Sequence, residues 1–228
     1  MFAIDTGSTG SKGPWISWTS NGSAEKGFAP RSWVLREKPE GATSSVNTVV
    51  PAFVNGCVLD LDTLQLGWEK DGAKGMAPER RWNPSPAVQT PRPDEGKKAT
   101  GAFAWTRAVS VRMAIGGGKA ATWEQGSYAA YEAFANLAKQ ITAQWSASSQ
   151  NGLLLPLVKQ TGVEKKDLPN GSANIPVLTV TAWVARPDCL KADAPVIATG
   201  PVAAPAPQPA PAYTPPPAAT SVPSDIAF

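Results

Sequence analysis

The chain has 228 residues, 42% apolar, 17% charged and 8% aromatic, which is enough to bury a core in one domain and too apolar for disorder throughout. It carries a net charge of +3 and no histidine, which excludes a Ser-His-Asp triad, a Cys-His nucleophile and every His-ligated metal site. Its two cysteines, Cys57 and Cys189, form no CxxC, so zinc and dithiol redox sites have no basis and neither metal nor cofactor is expected.

The N-terminal stretch, residues 1–13, shows no basic region followed by an apolar one, and no segment reaches the roughly 18 to 20 apolar residues of a membrane span. The expectation is a soluble, cytoplasmic protein. Within that stretch, Asp5-Thr6-Gly7-Ser8 after Phe2-Ala3-Ile4 resembles the aspartic-protease signature, and Ile4 to Lys12 resembles the first phosphate loop of actin-like kinases. The protease would need a second such Asp or a symmetric partner, and the kinase fold needs two large domains. A Gly/Ser turn is preferred to both, with an aspartic-protease-like enzyme using Asp5 kept as an alternative. Further on, Gly116-Gly117-Gly118-Lys119 fails as a phosphate loop, because Met113 stands where Gly is required and Ala120 where Ser or Thr is.

Period-two patterning predicts strands at residues 15–19, 32–36, 46–50, 64–68, 103–113, 153–159 and 178–184. Residues 70–101 hold Pro78, Pro84, Pro86, Pro91 and Pro93 and read as a long functional loop. Residues 127–145 are different. There Tyr131, Phe134, Ala138, Ile141 and Trp145 recur at steps of three and four, which predicts one amphipathic helix with Trp145 in the core. A mainly β chain with a single inserted helix suits a small barrel, with the domain spanning residues 1–190. Residues 194–223 are uncharged and rich in Pro and Ala, so residues 191–228 are expected to form a disordered tether, which ends in Ser224-Asp225-Ile226-Ala227-Phe228.

Between Lys70 and Lys119 lie ten Lys or Arg against four acids, a local excess of six, while the rest of the chain sums to −3. Nine tryptophans accompany this charge. Trp15 and Trp18 are three apart in a strand, so one faces the core and the other does not. Trp33 lies between Arg31 and Arg36, Trp82 follows Arg80-Arg81, Trp105 is two before Arg107, and Trp123 is four after Lys119. Cations that neutralise phosphates, interleaved with rings that stack on unpaired bases, are what a single-stranded nucleic-acid groove requires. The candidate DNA-binding residues are Trp15, Trp18, Arg31, Trp33, Arg36, Lys70, Lys74, Arg80, Arg81, Trp82, Trp105, Arg107, Arg112 and Lys119. Trp68, Trp145 and one of Trp15 and Trp18 are expected in the core.

The β-rich domain, the Pro-rich tether and the terminal Asp225-Ile226-Ala227-Phe228 together resemble single-stranded DNA-binding proteins of the OB-fold type. Those chains end in acidic residues followed by Asp-Ile-Pro-Phe. Leu155 to Gly162, and Ile175 to the closing Trp183-Val184-Ala185-Arg186-Pro187, are similar to the bacteriophage versions. Ala227 replaces the usual Pro, and Asp225 is the only acid near the end. The resemblance implies a five-stranded OB-like barrel with no catalytic role, coating single-stranded DNA in replication, recombination or repair. It also implies that Asp225, Ile226 and Phe228 form a tip that recruits partner proteins, through a ring and carboxylates offered to a basic pocket. Homo-oligomerisation is left open. The remaining alternative is a phage structural or inhibitory protein-binding module, which would bind no oligonucleotide.

Overall fold

The computed structural model describes residues 14–22, 28–72, 77–94, 104–150, 152–169 and 171–191. Among them, the order is β1 (Trp15–Thr19), β2 (Ser32–Glu37), β3 (Val46–Val50), α1 (Ala52–Asn55), β4 (Cys57–Lys70), β5 (Glu79–Trp82), β6 (Trp105–Ile115), β7 (Lys119–Gly126), α2 (Tyr128–Ser148), β8 (Leu154–Leu168), β9 (Gly171–Ala185) and α3 (Asp188–Lys191). All nine strands join one sheet in the order β3-β2-β1-β7-β6-β4-β8-β9, with β5 paired to β4. The fold is mainly β, a curled open sheet that makes a half-barrel. The expectation of five strands is therefore corrected to nine. The seven strand segments that alternation marks out are joined by β5 and β7, and several are longer than expected: β8 and β9 form a hairpin of 15 residues a side.

Two strands lie where the sequence suggests none. Within the Pro-rich segment, β5 pairs with the C-terminal half of β4, Lys70 opposite Glu79 and Gly67 opposite Trp82. The Arg81 carbonyl oxygen sits 2.2 Å from where a Cβ on Gly67 would stand, so only glycine admits β5 this closely. The Gly116–Gly118 run is the turn between β6 and β7, with Gly117 and Gly118 at φ of 77° and 72°, a conformation that glycine adopts without strain. The strand that follows, β7, pairs antiparallel with β6 and parallel with β1.

The helix matches its expected span to within three residues. Ser127 caps it, its hydroxyl oxygen accepting the Ala130 N–H at 3.2 Å. Ala130, Ala133, Phe134, Leu137 and Ile141 then face the sheet and share its main core with Ile16, Trp18, Trp33, Leu35 and Met113. The gap between β1 and β9 is spanned by side chains instead of a ladder. The Trp18 indole N–H donates to the Asn174 carbonyl at 2.7 Å, and the Asn174 N–H donates to the Ser20 hydroxyl at 2.6 Å. After β9, Arg186 donates to Asp60 at 2.5 Å and also to Asp62, which fastens the chain leading into α3 onto β4. Burial alone would lower that guanidinium's pKa, and its two carboxylate partners raise it instead. No helix among the described residues is long and apolar enough to cross a membrane.

Candidate nucleic-acid interface

Alternation along β1 and β2 places Ile16, Trp18, Trp33 and Leu35 on the core side. There the rings form one cluster: Trp33 lies 5.2 Å from Trp18, 4.4 Å from Phe53 and 5.3 Å from Trp123, centroid to centroid, and Trp123 lies 6.1 Å from Phe134. Trp18 and Trp33, at 3% and 2% exposure, offer no face to a base, and the sequence expectation that Trp33 stacks on DNA is corrected. Of the pair three apart, Trp15 is the one left partly exposed.

A second group forms where β4, β5 and β6 meet. Trp105, 2% exposed, is covered by the Arg81 guanidinium at 4.6 Å and the Lys70 ammonium at 5.5 Å, so it too is corrected from a stacking residue to a buried one. Arg107 lies 4.3 Å over Trp68 and 5.6 Å from Tyr131 of α2. Glu79 bridges Arg81 and Lys70 at 3.1 and 3.3 Å, and the hydrogen bond from Arg81, then that from Lys70, lowers its carboxyl pKa. Trp82 stays partly exposed on the outer strand β5.

Several predicted phosphate ligands are committed to the fold. Arg80 donates to Glu69 at 2.7 Å and pairs with Glu124 at 2.6 Å, while Glu69, buried, also accepts the Gly126 N–H at 3.0 Å. Arg112 donates to the Cys189 carbonyl at 3.2 Å beneath α3. Lys119 is paired with Glu37. Arg31 stands at the Thr19 end of β1, away from Trp15, at φ 58° and with its Nε–H donating to Asn174 at 3.2 Å. Lys74 and the tip residues Asp225, Ile226 and Phe228 lie outside the described residues, as does Asp5.

What remains accessible is a row across strands on the sheet face opposite α2. Trp15 is registered with Arg36 on one side and Thr122 on the other, and Arg36 is registered with Asn47. Arg36 and Asn47 are exposed, and Trp15 and Thr122 partly so. At about 4.8 Å between strands the row runs some 14 Å from Asn47 to Thr122. Asn47 and Thr122 carry no local signal in the sequence, because only cross-strand pairing brings them beside Trp15. A ring flanked by a guanidinium and by neutral hydrogen-bonding groups can stack on a base while it holds a phosphate.

The cysteines take no part. Burial pushes the Cys57 thiol up to about 12, far from thiolate chemistry, while Cys189 is partly exposed. At mildly alkaline pH a thiol reagent is expected to modify Cys189 in the native protein and Cys57 only after denaturation. Two rapidly modified thiols in the native protein would contradict the burial of Cys57. Among the described residues, no group of three His, Cys, Asp or Glu side chains could hold a metal ion. No family model, no curated protein and no solved structure matches the chain.

Proposed function

We propose that this protein binds single-stranded DNA without catalysis or cofactor, acting in the cytoplasm on strands exposed by replication, recombination or repair. We read the curled sheet with its single long helix as an enlarged OB-type barrel. The observation that carries the reading is the row Asn47–Arg36–Trp15–Thr122 on a sheet face that no described helix covers over β1 to β3. Trp82 adds a partly exposed ring on β5, while Arg81, exposed, and Lys70, partly exposed, lie on the other face of the β4–β5 pair.

The test is a fluorescence titration with oligo-dT, read through the tryptophans. Quenching with preference for single strands over duplex is expected, since stacking needs open base faces. If about 4 to 6 phosphates are neutralised, log K falls against log[salt] with a slope of roughly −3 to −4. A slope near zero, or emission that oligo-dT does not change, defeats the reading.

The tip is assigned to partner recruitment. Its Ile226 and Phe228 follow an uncharged run that holds no core-forming pattern, and a flexible tether raises the local concentration of whatever the tip binds. Deleting residues 224–228 is expected to leave folding and DNA affinity nearly unchanged. Phe228→Ala is expected to weaken capture of a genome-maintenance protein by at least about tenfold, as burial of a Phe ring is worth roughly 1.5 to 3 kcal/mol. A pull-down that recovers the same proteins with and without Phe228 removes the recruitment role and leaves DNA binding standing.

A further inference from the structure

Among the described residues, three strands pair with a neighbour on one side only, and two of these edges are blunted. On β9, the Gln140 side chain donates to the Leu178 carbonyl at 2.8 Å and accepts the Val180 N–H at 3.3 Å, while Trp18 and Ser20 satisfy Asn174. On β5, only four residues long, Glu79, Arg80 and Arg81 place charge along the edge. The third edge, β3, is different. Its sequence Val-Asn-Thr-Val-Val holds no charge, proline or bulge, four of its five residues are exposed, and Val46 and Val49 are 48% and 54% exposed. Among the described residues, no hydrogen bond reaches its outer side. Open edges of this kind are rare in stable monomers because they template pairing with another strand.

We propose that β3 is a self-association edge, through which two copies of this chain pair antiparallel about a two-fold axis and continue one sheet. The sequence around the strand favours a second copy as the occupant. Residues 41–59 contain no charged side chain, so the edge meets itself without like-charge repulsion. An antiparallel register centred on Thr48 is self-complementary: Thr48 faces Thr48 of the second copy, Val46 faces Val50, and Asn47 faces Val49. Such an axis keeps each face of the sheet on its own side. The Trp15–Arg36 pairs of both copies then stand on one continuous face, their two tryptophans five strand spacings or about 24 Å apart. A pairing of five residues a side is small for a stable interface, so the dimer forms in a concentration-dependent way.

The proposal does not depend on DNA binding and is tested without DNA, by sedimentation of the full-length protein over a wide concentration range. The expected result is a reversible dimer of twice 23.8 kDa, reduced to a monomer by Val49→Lys, a change at an exposed position. A second measurement reads the register: on mild oxidation Thr48→Cys is expected to give a covalent dimer, and Val46→Cys is not. If Val49→Lys fails to fold, as judged by circular dichroism, the cysteine pair decides. A protein that stays monomeric and yields no Thr48→Cys dimer overturns the proposal, as does a dimer that a folded Val49→Lys leaves intact.

Discussion

Trp33→Ala is expected to lower the free energy of unfolding by about 3 to 5 kcal/mol. Trp33 touches Trp18, Phe53 and Trp123, so truncation opens a cavity at the centre of the aromatic cluster instead of a dent at its margin. It also strands the Gln160 side-chain oxygen, which now accepts the Trp33 indole N–H at 2.8 Å. Trp145→Ala is the contrasting change. Trp145 is 40% exposed and meets Trp183 edge to face at 5.9 Å, so its loss is expected to cost about 1 kcal/mol or less. Urea unfolding of the two variants under identical conditions decides the matter. Equal losses would mean that Trp33 is not at the centre of the core.

That contrast reverses the order in which the sequence ranks these two rings, and the reason is geometric. Trp33 has Arg31 and Arg36 for sequence neighbours, yet Arg36 is three residues away in a strand and so faces the opposite side of the sheet. The alternation that separates Trp15 from Trp18 applies equally here. Nearness along the chain to a cation says little about sharing a face with one. Trp145 continues the spacing of Phe134, Ala138 and Ile141, but at the end of α2 it is left 40% exposed and meets Trp183 edge to face. Strands with apolar alternation, β1 and β3 among them, are legible to the residue. β5 is not, because one of its faces pairs Arg80 with Glu69 and Glu124 and the other lays Arg81 over Trp105, leaving no apolar period to read. β7 does alternate, with Ala121 and Trp123 inward, and is obscured only by the glycine run before it. The row through Trp15 is invisible for a deeper reason. It joins residues 15, 36, 47 and 122, which sheet topology alone makes neighbours.

Trp15→Ala and Arg36→Ala are expected to separate the two components of DNA affinity. Loss of a stacking ring costs about 1 to 3 kcal/mol, or roughly 5- to 150-fold in affinity for oligo-dT, and leaves the salt dependence unchanged. Loss of one phosphate contact should flatten the slope of log K against log[salt] by about 0.7, with the greatest loss of affinity at low salt. Both side chains stand on the face opposite α2, Arg36 exposed and Trp15 partly so, so neither change should move the unfolding midpoint as Trp33→Ala does. Because the two residues are directly opposite across β1 and β2, the double variant is expected to lose less than the sum of the singles if they grip the same nucleotide. Additive losses would assign them to separate nucleotides on one path. Single variants that bind oligo-dT as tightly as the parent protein, with the same salt slope, would remove this face from the interface and leave Arg81 and Lys70, on the other face of β4 and β5, as the surface to test.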